Sequence, residues 1–224
     1  MPNLPKLKIC GMRTPQNVKA LLEVGLDFMG FIFYEKSPRY VDDKAWGEVV
    51  EVFDNQQDTK KVGVFVNPEL EAILARSKVL PLDYIQLHGQ ESPAFCQEVQ
   101  AQGFKVIKVF SVDSSFDFSQ LKAYEKGCDY FLFDTKGKQP GGNGFQFDWS
   151  LLAEYRGDIP FFLGGGINPN SVKRLQVFNH PMFFAIDGNS GFELAPALKD
   201  IDAIQQFKKQ YALQTIIPPN TQKS

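Results

Sequence analysis

Two sets of residues carry the chemistry that side-chain type and spacing allow in this chain. The first is a pair of small-residue turns. The apolar run Phe161–Leu163 leads into Gly164-Gly165-Gly166, and Phe183–Ile186 leads into Asp187-Gly188-Asn189-Ser190-Gly191. Turns without bulky side chains bring backbone N–H groups close to an anion, and a following helix start adds partial positive charge. A single turn of this kind reads most simply as a tight strand-to-helix connection. The pair, on consecutive strands, reads as one phosphate cradle with Gly165, Gly166, Ser190 and Gly191 as its candidate residues. The second set is a thiol and a carboxyl. Cys10 closes the strand KLKIC against Gly11, and Asp134 closes the apolar run YFLF. A thiol and a carboxyl at strand ends on roughly opposite walls of one site form an acid/base pair for moving protons. Lys8 lies two residues before Cys10, on the same side of the strand by period-two geometry, so its ammonium is expected to lower the thiol pKa from about 8.5.

The remaining candidates sit at other strand ends. Arg39, behind Ser37-Pro38, offers a fork suited to a carboxylate, either of a substrate or of a structural partner. His88 follows Gln86-Leu87 and either holds its loop through hydrogen bonds or titrates. Asp187 ends the last strand. Lys108 lies on the fifth strand and, with Lys8, is a candidate Schiff-base amine in a rival reading. Cys96 and Cys128 read as buried, inert thiols and His180 as structural. There is no HxxH, HxH or carboxylate cluster, so no metal and no cofactor is expected.

What positions these residues is a repeating grammar. Near-continuous apolar runs begin near residues 7, 28, 61, 84, 105, 130, 161 and 183, and helical stretches separate most of them. Runs without alternation suit parallel strands covered on both faces. Thr14-Pro15, Asn67-Pro68, Ser92-Pro93 and Asn168-Pro169 each read as an N-cap followed by proline in the first helical turn. Helices are expected near 42–54 and 117–126 as well. Eight β-then-α units in 224 residues predict a single α/β domain, a (β/α)8 TIM barrel with parallel strands, over residues 1–214, followed by a loose tail over 215–224. The phosphate site then falls at the loops after strands 7 and 8, where such barrels often carry one. The glycine-rich connection Thr135–Phe147 starts directly at Asp134 and is expected to act as a mobile lid.

Composition sets outer bounds. A hydrophobic share of 43% with 21 Phe supports a large aromatic core, and a net charge of −2 gives no footprint for nucleic acid or a membrane surface. The three cysteines form no CxxC, which suits a reducing compartment. No leader-like apolar segment or membrane span is visible, so the expectation is a soluble, cytoplasmic protein, monomer or homodimer, acting on a small phosphorylated molecule.

At this point the residues resemble the phosphoribosylanthranilate isomerase family of tryptophan biosynthesis. The resemblance rests on KICG (8–11), GFIFYEKSPRYV (30–41), VGVFVN (62–67), IQLHGQE (85–91), FDTK with GGNGFQFDW (133–149), FLGGGINPNSV (162–172), DGNSGFE (187–193) and Leu198-Lys199-Asp200. It implies a cofactor-free Amadori rearrangement of N-(5′-phosphoribosyl)anthranilate to 1-(2-carboxyphenylamino)-1-deoxyribulose 5-phosphate. Cys10 is then implied as general base, Asp134 as general acid, Arg39 as the partner of the anthranilate carboxylate, and Asp187 as a substrate-holding residue; Lys8 and His88 are expected to bind substrate as well. The chain departs from the family pattern at Gly188-Asn189 in the last turn and at Pro196-Ala197. Other phosphosugar barrels (an epimerase or a lysine-dependent lyase) and a catalytically silent phosphosugar-binding barrel are the rival readings.

Overall fold

The computed structural model describes residues 4–53, 58–135 and 148–215. Eight strands, β1 (Lys6–Met12), β2 (Phe28–Ile32), β3 (Lys60–Phe65), β4 (Tyr84–Leu87), β5 (Lys105–Val112), β6 (Tyr130–Thr135), β7 (Phe161–Leu163) and β8 (Phe183–Gly188), follow one another in a closed parallel barrel. The expected (β/α)8 barrel is thus the observed fold. Closure pairs β1 with β8 in a register that sets Lys8 opposite Asp187. Two residues separated by nearly the whole chain meet because the barrel has no edge.

Helices α1 (Pro15–Val24), α2 (Asp43–Val50), α3 (Leu70–Val79), α4 (Pro93–Ala101), α5 (Val172–Val177) and α6 (Ile201–Thr215) lie between or after the strands. Thr14 and Ser92 are N-caps with Pro15 and Pro93 just behind them, as the sequence indicates, and Asn168 closes a capping box with Ser171. Asn67-Pro68 does not cap α3, which starts at Leu70 behind Glu69. Asn67 instead takes a left-handed backbone (φ 46°), and its side chain accepts from Gln90 N at 2.6 Å, tying the loop after β3 to the loop after β4. The expected helix over 42–54 ends at Val50, and the one over 117–126 is a 3-10 turn, Phe118–Tyr124, whose Asp117 cap accepts from Ser119 N. The connection after β8 also differs from a direct strand-to-helix step. A 3-10 turn (Ser190–Phe192) and a two-stranded hairpin of β9 (Glu193–Ala195) and β10 (Leu198–Lys199) precede α6.

Two cores result. The larger fills the space between barrel and helices, with Ile9, Phe31, Trp46, Phe131, Phe133 and Phe161 all but fully buried. The smaller fills the barrel itself. Its floor is an aromatic cluster near the strand starts in which Phe28 meets Tyr84 at 5.2 Å and Tyr130 meets Phe184 at 4.6 Å between ring centroids. Val62, Val64, Ile107, Val109, Leu132 and Ala185 also line this core. Each large ring buried this way contributes about 2–3 kcal/mol. With that end plugged, the space at the C-terminal ends of the strands is left for a site. The expected lid (Thr135–Phe147), apart from Thr135, and the expected tail, apart from Thr215 closing α6, lie outside the described residues. Among the described residues no helix is long and apolar enough to cross a membrane.

Candidate active site

A cavity of about 490 Å³ opens at the C-terminal ends of the strands, and Cys10, Arg39, Gln86, His88, Asp134, Gly165, Gly166, Asp187, Asn189, Ser190 and Gly191 are among its lining residues. The barrel thus gathers the expected thiol, carboxyl, arginine, histidine and both glycine turns around one space. Lys8 is the exception. It is fully buried and absent from the lining, and its Nζ donates to Asp187 Oδ1 at 2.7 Å.

Cys10 reaches the cavity because strand β2 offers Gly30 beside it. A Cβ at Gly30 would stand 2.7 Å from the Cys10 sulfur. Burial pushes the Cys10 thiol up, Lys8 pulls it down, and Asp187 pushes it up again, and the balance lies above the ordinary thiol value. The expected lowering by Lys8 is therefore overturned as a net effect. The ammonium is largely neutralised by Asp187, and desolvation of a thiolate outweighs what remains. For Lys8 burial acts downward, but Asp187 and then Cys10 more than offset it, so the lysine stays charged.

Asp134 sits across the barrel, where Thr135 N donates to its Oδ1 at 2.7 Å. Burial, reinforced by the charge of Asp187, raises its pKa to about 6. His88 Nε2 lies 3.7 Å from Asp134 Oδ2. Burial, followed by the charges of Lys108 and Lys8, lowers the His88 pKa to about 4, so the ring is neutral near pH 7. Lys108 itself does not line the cavity. It lies buried in the wall with Nζ 3.0 Å from Glu91 Oε2, and it donates to the carbonyls of Leu87 and Gly89. Glu91 in turn accepts from the backbone N–H of Asn67 and Gly89. That pair fixes the loop carrying His88, and neither lysine of the Schiff-base reading presents its amine to the cavity.

Arg39 is held by residues that sequence reasoning did not single out. Its Nε and Nη2 donate to the two carboxylate oxygens of Glu193. Lys199, fully buried, donates to Glu193 Oε1 at 2.6 Å and to Asn189 Oδ1 at 2.8 Å. Asn17 in α1 holds the Lys199 backbone by both its N–H and its carbonyl. Burial would raise the Glu193 pKa, but the hydrogen bonds and charges of Arg39 and Lys199 outweigh it and keep the carboxylate ionised. The three side chains sum to one positive charge facing a wall of the cavity. Gly11 (φ 79°) makes room for them, since a Cβ there would lie 2.7 Å from Arg39 Cδ and from Asn189 Oδ1.

The two turns behave alike. Gly165 and Gly166 both have positive φ, and a Cβ at Gly165 would stand 2.7 Å from Thr135 N and 3.2 Å from Asp134 Oδ1. A Cβ at Gly191 would stand 2.8 Å from Asn168 Cβ, and so the turn after β8 nests against the turn after β7 only without a side chain.

A family model described as N-(5′-phosphoribosyl)anthranilate (PRA) isomerase matches residues 7–210. The chain belongs to the phosphoribosylanthranilate isomerase family. Among similar proteins, the N-(5′-phosphoribosyl)anthranilate isomerases of Parabacteroides distasonis and Phocaeicola vulgatus are each 45% identical over 204 residues, covering 91% of this chain and 92% and 96% of their own. The solved structure of phosphoribosyl anthranilate isomerase from Thermotoga maritima superposes with a TM-score of 0.82 at 35% identity, covering 93% of this chain and 99% of its own. A phosphoribosyl anthranilate isomerase in complex with reduced 1-(o-carboxyphenylamino)-1-deoxyribulose 5-phosphate has a TM-score of 0.79 at 33% identity, with the same coverage.

This isomerase therefore carries the resemblance its motifs suggest along nearly its whole length. Three residues escaped the reading. Gln86 shares the inward face with His88 by period two, a signal that was available. Glu193 closes the DGNSGFE motif and Lys199 lies in Leu198-Lys199-Asp200, yet nothing local gives either a role beyond that of a solvated surface residue.

Proposed function

We propose that this cavity carries out the Amadori rearrangement of N-(5′-phosphoribosyl)anthranilate with Asp134 as general acid and Cys10 as general base. Protonated Asp134 donates to the furanose ring oxygen. The C1′–O bond breaks, and the nitrogen lone pair forms the C1′=N iminium. Cys10, as thiolate, takes the proton from C2′, and the C–H electrons form the C1′=C2′ bond while the nitrogen becomes neutral. The resulting enolamine loses its C2′ hydroxyl proton, gains one at C1′, and becomes the ketone. Each proton-transfer role contributes about 10²–10⁴ in rate. The observation that carries this reading is the pairing, in one cavity, of a thiol with a carboxyl that burial keeps protonated up to about pH 6.

Arg39 holds the anthranilate carboxylate, Asp187 the sugar segment, and the amides of Gly165, Gly166, Ser190 and Gly191 the phosphate. His88 stands beside Asp134 as a neutral ring, and Lys8 acts from below through Asp187 and Cys10 rather than by touching substrate. The three cysteines are free, which supports a reducing, cytoplasmic setting. The test is turnover. Purified protein should convert phosphoribosylanthranilate with loss of its anthranilate-type fluorescence. Failure to convert it, with the chain folded, would leave the silent phosphosugar-binding barrel as the reading.

A further inference from the structure

Among the described residues, the buried side-chain polar atoms without a hydrogen-bond partner are Gln86 Oε1 and Trp149 Nε1, and of these two residues Gln86 is the one that lines the cavity. It sits on β4 with 1% of its surface exposed and lines the cavity. Its Nε2 lies 3.3 Å from His88 Nδ1. Its Oε1 is buried without a hydrogen-bond partner among the described residues. A carbonyl oxygen buried without a donor is a standing cost to the fold, and such groups in native proteins call for an explanation.

We propose that Gln86 Oε1 is a substrate-binding acceptor, taking a hydrogen bond from an N–H or O–H donor in the ring-opened amine–sugar segment, and that the same amide sets the tautomer of His88. This deepens the reading above and rests on it. Several observations converge. Period two places Tyr84 in the aromatic floor, Gln86 above it and His88 at the rim, so the amide stands at the level of the reacting groups. The amide nitrogen is engaged by His88, which fixes which end of the side chain remains for a ligand. If Gln86 Nε2 donates to Nδ1, the proton of the neutral imidazole resides on Nε2, the nitrogen that faces Asp134 Oδ2. In the barrel order β4 lies opposite β8, whose turn forms half of the phosphate cradle. A substrate with its phosphate at that turn presents its arylamine and adjoining carbons toward β4. The nitrogen there keeps its N–H through the iminium, where it is most acidic, so an acceptor at Oε1 binds more strongly as positive charge develops.

The experiment compares wild type with Gln86→Met, which keeps the volume and removes both acceptor and donor. Two readouts are taken, the affinity for reduced 1-(o-carboxyphenylamino)-1-deoxyribulose 5-phosphate and the thermal midpoint without ligand. Wild-type affinity for this analogue tests the functional reading by itself, whereas the mutant-to-wild-type ratio tests Gln86. The expected result is an affinity loss of roughly ten-fold or more with an unchanged or higher midpoint, because the variant loses a substrate contact but no longer buries an unpaired oxygen. An unchanged affinity, a lower midpoint, or failure to fold would each overturn the proposal by showing a structural side chain. An analogue with ether oxygen in place of the anilinic nitrogen separates the two donors. If it costs wild type affinity but costs the variant nothing, the donor is N–H; equal costs assign it to a hydroxyl. Nitrogen NMR of the wild type should place the His88 proton on Nε2, and a proton on Nδ1 would sink the assignment.

Discussion

Arg39 donates Nε and Nη2 to the two carboxylate oxygens of Glu193, at 2.8 and 2.6 Å. The fork therefore meets a structural carboxylate first. A guanidinium has five N–H donors, so those on Nη1 and the second on Nη2 are left over by Glu193, and the proposed role of Arg39 toward the substrate carboxylate would use them. Arg39→Ala is expected to raise KM by roughly 10- to 100-fold, with a smaller change in kcat, since a charged hydrogen bond lost from both ground and transition state weakens binding. Glu193→Gln should instead show itself in stability. It leaves buried Lys199 and Arg39 without their counter-charge, at a cost of about 3 kcal/mol read from denaturant melts. A Glu193→Gln enzyme with wild-type stability would remove the bracing role.

The order of two pKa values decides the pH profile. Two proton-transfer residues working together would ordinarily suggest activity rising as Cys10 ionises and falling as Asp134 loses its proton. Here Asp134 titrates at about 6 and Cys10 above the ordinary thiol value, so the limbs change owners. The form with protonated Asp134 and ionised Cys10 grows with pH until about 6, stays at a constant small fraction, and declines once Cys10 ionises freely. kcat/KM should therefore level off near pH 6. Asp134→Asn and Cys10→Ser should each lose about 10²–10⁴ in kcat while still binding the reduced product analogue. In Asp134→Asn the residual activity should keep rising through pH 6. Levelling at the same pH in that variant would assign the limb to another group.

Asp134 should also destabilise the fold that holds it. Its folded pKa of about 6 lies above the unfolded value near 3.8, and its side chain is only 17% exposed. The native state binds the extra proton between those values, so this group's contribution falls as pH rises through that window and is fully lost above it. Asp134→Asn is expected to be more stable than wild type by about 2–3 kcal/mol at pH 8, with the gap closing toward pH 4. Equal stability at both pH values would contradict the buried, raised carboxyl.

The nested glycine turns make a prediction about anions. Phosphate or sulfate soaked into crystals should settle against the backbone of Gly165 or Gly166 and of Ser190 or Gly191. Gly165→Ala places a Cβ on a left-handed backbone 2.7 Å from Thr135 N, so the turn must open. The variant should lose affinity for the phosphorylated substrate while binding of a dephosphorylated analogue changes little. Equal losses for both would point to a folding defect rather than a lost phosphate contact.

How much of this was legible in the chain follows from the range of each interaction. Strand runs, glycine turns, the caps at Thr14, Ser92 and Asn168, and the strand-end positions of Cys10, Asp134 and Asp187 depend on near neighbours and on periods of two and 3.6. They could be read directly, and with them the barrel, while the family rested on the resemblance of its motifs. Where a local signal had two outcomes, packing chose. Asn67-Pro68 has the form of a helix start but serves as a loop clamp, and Lys108 on a barrel strand points into the wall toward Glu91. The pKa order was beyond local reading because desolvation and the Lys8–Asp187 pair, not the spacing of Lys8 and Cys10, set the thiol. Arg39 meets Glu193 from 154 residues away, and Lys199 is locked by Asn17 across 182. Burial and charge act through space, so contacts of this length exist only after the barrel closes.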